Sequence, residues 1–128
     1  MLDRAFHDFL TRLPRELGLG TEDAAQVVDR YYTPDITYRN DGVTLDRDRL
    51  IAHAAPARKN ARELHLQVHD TVIQGERAAA RYTLRVRTRK DKTLEIEVCL
   101  FATFAPDGRV RRVDSTTRTV TEKSPEPS

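Results

Sequence analysis

Tryptophan is absent from the 128 residues, methionine and cysteine occur once each, and only 6% of the chain is aromatic. The single cysteine, Cys99, excludes an internal disulfide, and a chain of this length can bury roughly two-thirds of its unfolded surface without one. Charge of one sign is hardly in excess. The 22 Lys plus Arg against 20 Asp plus Glu leave a net charge of +2, so a general nucleic-acid binder, which needs a clustered cationic surplus, is not expected. No apolar run approaches the roughly 18 residues of a membrane span. Asp3 and Arg4 interrupt any secretory h-region, so the expectation is a cytoplasmic protein with no membrane partner. Gly-rich phosphate loops, serine-hydrolase elbows and paired-cysteine motifs are missing, and no metal or other cofactor is expected.

What the chain does contain is the patterning of one domain. Phe6, Phe9, Leu10, Leu13 and Leu17 fall on one helical face, with Pro14 expected to kink or break the helix near its last turn. Thr21 reads as the N-cap of a second helix, with Glu22 and Asp23 in its first turn and Ala24, Val27, Val28 and Tyr31 on its buried side. A short strand follows Pro34-Asp35. A third helix is expected from Asp46 or Asp48, with Leu50, Ile51 and Ala54 on one side and Pro56 bending or ending it.

Beyond Glu63 the period changes to two. Leu64, Leu66 and Val68 alternate with His65, Gln67 and His69; Ala78, Ala80, Tyr82, Leu84 and Val86 alternate with arginines; Leu94 to Phe104 alternates with Glu95, Glu97, Cys99 and Phe101. One face is apolar and the other charged. A three-residue Lys90-Asp91-Lys92 loop would set Arg85 against Glu97 and Arg87 against Glu95, with Leu84 opposite Val98. A two-residue Asp107-Gly108 turn would set Leu100 against Ser115, Ala102 against Val113 and Glu97 against Arg118. The last strand is expected to end near Val120, making residues 1–120 the domain and 121–128 a frayed tail.

This order of elements, with the segments Tyr31-Tyr32-Thr33-Pro34-Asp35-Ile36-Thr37-Tyr38 and Asp107-Gly108-Arg109-Val110-Arg111-Arg112-Val113-Asp114, resembles the nuclear transport factor 2-like superfamily, and within it the SnoaL-like members. The resemblance covers roughly residues 2 to 120. It implies an α+β cone, a curved antiparallel sheet wrapped around the N-terminal helices, with an apolar cavity. It further implies a cofactor-independent cyclase, isomerase or hydrolase acting on a hydrophobic small molecule of polyketide or secondary-metabolite type. The alternatives are a protein that binds such a ligand without changing it, or a dimeric interaction scaffold. A homodimer would pair through the outer sheet face.

Carried over residue by residue, the resemblance places the isomerase general base at Asn40, an acidic or histidine position at Leu100, and an acid of the last strand at Ser115, with Asp114 one residue away. An amide, an alkyl chain and a hydroxyl do not shuttle protons, so ketosteroid isomerase chemistry is not expected. Tyr38, Asn40, Tyr82 and Ser115 share the face turned to the implied cavity, as hydrogen-bonding groups or as core rings and their neighbours. Leu100 and Val113 would wall it. Asp114, if a bulge re-aims it, Tyr38 and His53 are the catalytic candidates. The outer arginines Arg81, Arg85, Arg87, Arg112 and Arg118 read as a salt-bridged surface, with Cys99 and Phe101 as an apolar spot suited to a subunit contact.

Overall fold

A computed structural model describes residues 2–123, side chains being described from Leu2 to Val120. Apolar periodicity builds α1 (Leu2–Thr11) and α2 (Leu13–Gly18), which bury Phe6, Phe9, Leu10 and Leu13. The break between them lies where the ring of Pro14 would meet the carbonyl four residues earlier, so α2 restarts with the proline in its first turn. The same rule governs α4 (Arg47–Ala52) and α5 (Ala54–Asn60). Pro56 lies four residues after Ala52, and the break falls at His53, upstream of the proline. Asp46 caps α4 by accepting from the Arg49 N–H at 3.0 Å.

Thr21 is not a cap. Helix α3 (Ala24–Tyr31) begins three residues later, after Asp23, whose side chain makes no capping bond. Glu22, which reads as a first-turn helical acid, instead pairs with Arg30 at 2.5 Å, so tertiary ion pairing has claimed the residue that helix-start reasoning assigned locally.

The strands are β1 (Tyr32–Asn40), β2 (Val43–Leu45), β3 (Ala61–Gln74), β4 (Arg77–Thr88), β5 (Thr93–Phe104) and β6 (Val110–Lys123). They form one curved, unclosed sheet in the order β2-β1-β6-β5-β4-β3, with β1 parallel to β6 and the other neighbours antiparallel. Strand β2 was not expected. Its hairpin turns on Asp41-Gly42, both at positive φ (50° and 85°), the conformation a two-residue loop needs to match strand twist. Strand β6 runs to Lys123, three residues past the expected end, paired with the start of β5. The remainder of the expected tail lies outside the described residues.

The β4–β5 register is corrected by two residues. Arg85 faces Glu95, Arg87 faces Thr93 and Leu84 faces Ile96, not Glu97, Glu95 and Val98. The loop has the expected three residues but lies one residue earlier, Arg89 to Asp91, closed by Thr88 N–H to Lys92 carbonyl at 2.8 Å, with Asp91 taking the positive φ of 60°. A slip of two keeps every side chain on its face. At the other end, Leu100–Ser115, Ala102–Val113 and Glu97–Arg118 pair as expected, although the turn has three residues, Pro106 to Gly108, with Gly108 at φ 88°. A register shift between Thr103 and Phe104 absorbs the extra residue. In β3 a bulge between Val68 and Asp70 reverses the alternation, which sends Val72 outward with 66% of its surface exposed.

The core lies between the helices and the inner sheet face. Phe104, Phe6, Phe9, Tyr32 and Tyr38 form a continuous line of ring contacts, with centroids 5.9 Å (Phe104 to Phe6), 6.5 Å (Phe6 to Phe9), 5.6 Å (Phe9 to Tyr32) and 6.2 Å (Tyr32 to Tyr38) apart, three of the four edge-to-face. Helix α1 is thereby locked to the strand that carries the site.

Candidate functional site

Strand alternation brings the inner-facing candidates together. Asn40 pairs with Ser115 and Ser115 with Leu100, so the three positions implied by the resemblance stand on one rung of the sheet. The Ser115 hydroxyl donates to Asn40 Oδ1 at 2.8 Å. Tyr38 lies one step back along β1 beside Val113, its hydroxyl next to that of Ser115. Tyr82, opposite Val98 on β4, lies close enough to Tyr38 for that phenol to raise the Tyr82 pKa. Leu100 and Val113 are fully buried wall residues.

Two residues join the cluster that sequence reasoning did not name. Tyr32, at the end of α3, is buried against Tyr38 and close to Tyr82. Counting back in twos from Tyr38 would have reached it, but Pro34 and a register irregularity between Tyr32 and Thr37 interrupt the alternation. Asp41 closes the rim. Its backbone N–H donates to the Ser115 carbonyl at 2.9 Å, and its carboxylate accepts from the Thr117 N–H at 2.8 Å and from the Thr117 hydroxyl. These donors hold the Asp41 carboxyl below the usual carboxylate range, so it remains an anchor for the turn and is ionised near neutrality.

Two candidates stand apart. Asp114 points to the outer face, where Arg112 Nε donates to it at 3.0 Å; the β5–β6 ladder from Glu97 to Thr103 runs without a bulge, so nothing turns the carboxylate inward. His53 is exposed at the junction of α4 and α5. The outer arginines are all paired. Arg81 meets Asp70 at 2.9 Å, Arg85 meets Glu95 at 2.8 Å, Arg87 meets Asp91 at 3.5 Å, Arg112 meets Asp114 at 3.0 Å and Arg118 meets Glu97 at 3.4 Å.

Burial sets the chemistry of the phenols. It pushes Tyr32 well above its ordinary pKa, helped by the neighbouring Tyr38 and Tyr82, and it pushes Tyr82 up as well, with Tyr38 adding to the effect. Tyr38 is raised by burial and drawn partly back by the Ser115 hydroxyl. All three are therefore neutral hydrogen-bond donors at any physiological pH. Tyr38 and Tyr82 are half-buried, packed against the core with part of their surface still accessible. The Tyr32 and Tyr82 hydroxyls meet no acceptor among the described residues, and no sealed side-chain polar atom is left unpaired. They consequently touch space that water or a ligand can enter.

The fourth tyrosine is outside this group. Tyr31 donates to Glu16 Oε2 at 2.8 Å, and burial followed by that bond pushes it up to about 12. It lines a surface cleft of about 530 Å³ between α1, α3 and the β5–β6 turn. That cleft is a poorer site, because Arg30 is taken by Glu16 and Glu22 at 2.5 Å each and Arg12 by Glu16 at 3.6 Å.

The raised phenols have a consequence for stability. A tyrosine that ionises less readily folded than unfolded stabilises the fold fully below the unfolded pKa, and that contribution is lost as pH rises towards the folded value. Unfolding midpoints in urea should therefore hold constant up to about pH 10 and fall above it, with Tyr32→Phe reducing the fall. An alkaline profile unchanged by that substitution would show that Tyr32 is not enclosed.

Comparison with known proteins agrees with this architecture. The chain belongs to the SnoaL-like domain family, whose sequence model matches residues 5–113. An uncharacterized protein of Schizosaccharomyces pombe is 30% identical over 116 residues, covering 91% of this chain and 79% of that protein. Among solved structures, AclR of Streptomyces galilaeus, a candidate hydroxylase, superposes with a TM-score of 0.72 at 13% identity, covering 94% of this chain and 82% of its own. A candidate SnoaL-like polyketide cyclase of Shewanella denitrificans gives 0.72 at 12% identity over 91% of this chain and 90% of its own. An epoxide hydrolase of Mycobacterium tuberculosis gives 0.64 at 17% identity over 91% and 82%. At these identities the structural likeness is one of fold, and the activity has to be argued from the site.

Proposed function

We propose that this chain binds a hydrophobic small molecule of polyketide or secondary-metabolite type on the inner sheet face and cyclises it without a cofactor. The observation that carries this reading is the grouping of three neutral phenols, Tyr32, Tyr38 and Tyr82, of which Tyr38 stands beside the Asn40–Ser115 pair. Fixed donors in an enclosed apolar site stabilise the oxyanion that develops when a carbonyl is attacked. They also fold a flexible substrate into a reactive arrangement. Isomerisation and epoxide hydrolysis need a base at the reacting atom, whereas a methylene between two carbonyls is acidic enough to lose its proton to solvent base. The enolate carbon then bonds to the second carbonyl carbon, whose oxygen takes up the electron pair and is protonated by water, so the protein's part is positioning and hydrogen bonding to that oxygen. The donor set therefore favours cyclisation within the wider cyclase, isomerase and hydrolase class.

A second reading, binding without turnover, is favoured by one observation: Asp114 and His53 both lie away from the phenols. Incubation with a linear polyketone ester separates the two. Cyclisation predicts an aromatic product forming faster than in buffer, at a rate that rises steadily with pH from about 5 to 9 as solvent base frees the enolate, and without an inflection because the cluster phenols stay protonated there. Recovery of bound, unchanged polyketone would instead establish the binding protein, and an inflection near pH 6.5 would show that a histidine takes part.

The partner of the outer face is proposed to be a second copy of the chain. Val72, Ala79 and Phe101 form one row there, with Phe101 58% and Val72 66% exposed, beside Cys99. Acids and arginines around the row, Asp70 with Arg81 and Glu97 with Arg118, are complementary to themselves across a two-fold axis. Phe101→Glu should sediment as a monomer where the unmodified chain sediments as a dimer; equal sedimentation of the two would refute the pairing.

A further inference from the structure

The inner face carries two kinds of side chain in separate columns. One rung places Ala80 of β4, Leu100 of β5 and Ser115 of β6 side by side; the next places Tyr82, Val98 and Thr117; the next Leu84, Ile96 and Thr119. Beyond them Val86 faces Leu94. Rungs are two residues apart, about 6.8 Å along the strand. The β4 and β5 columns are therefore an apolar floor continuing from Tyr82, while the β6 column is a line of three hydroxyls at even spacing.

The far end of this floor is not covered by the helices. Leu66, Leu84, Val86, Leu94 and Ile96 are only half-buried, and Thr117 and Thr119 are exposed. On the opposite side of the same strands the charges are paired, Arg85 with Glu95 and Arg118 with Glu97, so the polarity is divided cleanly between faces. Thr117 donates its hydroxyl proton to Asp41 and so offers lone pairs to a ligand, whereas Thr119 can donate or accept.

From this division we propose that the ligand is an elongated molecule, apolar along one edge and oxygenated along the other. Its apolar edge lies on Leu84, Ile96, Val86 and Leu94, and its oxygens face Ser115, Thr117 and Thr119. The inference rests on the inner-face binding reading above and adds the arrangement of polar groups that the site selects. An equally hydrophobic molecule with oxygens at its two ends would forgo the contacts with the hydroxyl column and set its own oxygens on the floor, which costs affinity.

Two isomeric dihydroxyanthraquinones test this with hydrophobic area held nearly constant. Danthron carries its hydroxyls on one long edge, flanking a carbonyl; anthraflavic acid carries them at opposite ends. Fluorescence titration of the full chain should find danthron bound about tenfold more tightly, the equivalent of one or two hydrogen bonds. The Thr117→Val/Thr119→Val double variant should bring the two isomers within about twofold of each other. Because Thr117 also ties down Asp41, Thr119→Val alone serves as a second variant; valine keeps the branched shape a strand favours, and part of the preference should be lost. Equal binding of both isomers to the unmodified chain, or a preference that survives the double variant, would overturn the proposal and leave the inner-face site standing. Binding of neither isomer would overturn both.

Discussion

Replacing Tyr38 and Tyr82 together by phenylalanine is expected to weaken danthron binding about a hundredfold, roughly tenfold for each hydroxyl removed. Both hydroxyls are held neutral by burial, so each is a hydrogen-bond donor for a ligand oxygen throughout the physiological range. The aromatic rings stay, and with them the edge-to-face contact of Tyr38 with Tyr32 at 6.2 Å. Thermal stability should consequently change little, which separates loss of a donor from loss of the fold. Each single variant should show about half the effect on the free-energy scale, unless the two phenols share one ligand oxygen. Unchanged affinity in the double variant would mean that the hydroxyls face one another and not a bound molecule.

Phe104→Ala should cost about 3–5 kcal/mol of folding stability, the usual range for emptying an aromatic site in a packed core. Phe104 is 1% exposed, its ring meets Phe6 edge-on at 88°, and it closes the line of rings running through Phe9 and Tyr32 to the site. Against the 5–15 kcal/mol typical of a whole domain, about 4 kcal/mol is a large fraction. Urea denaturation would show it as a lower midpoint with a similar slope. A loss below about 1 kcal/mol would mean that this end of the sheet repacks and that α1 is not anchored through Phe6.

The long strands were legible because each alternates over most of its length and one of the two faces must be buried, although the β3 bulge past Val68 and the β1 irregularity after Tyr32 break that alternation. The two-residue slip between β4 and β5 shows what such alternation constrains: the face of every side chain, but not which pair of rungs meets. Loop length was no guide either, since the expected three-residue length was found one residue earlier, with Asp91 in the left-handed conformation. Asp107-Gly108 marked its hairpin correctly although the loop is longer by one, and the same dipeptide at Asp41-Gly42, between shorter strands, went unread. Helix breaks followed proline geometry at both Pro14 and Pro56, whereas the Thr21 cap failed because the Glu22–Arg30 pair is a tertiary contact.

At the site, Tyr38, Asn40, Tyr82 and Ser115 could be grouped from parity alone, and they do meet. Tyr32 could not, because it lies at a helix-to-strand boundary where neither period applies. Asp114 illustrates the converse. A one-residue offset from an inner position puts a carboxylate outside, and only a bulge, which β6 lacks at that point, would have brought it in.

The account requires three of the four tyrosines to line one hollow and the fourth to lie elsewhere. Selective isotopic labelling of tyrosine rings gives four resolvable signals, which can be followed by NMR while danthron is added. Signals of Tyr32, Tyr38 and Tyr82 should move together along one binding curve while that of Tyr31, bonded to Glu16 in its separate cleft, stays in place. Movement of Tyr31 alone, or of no tyrosine at saturating ligand, would contradict it.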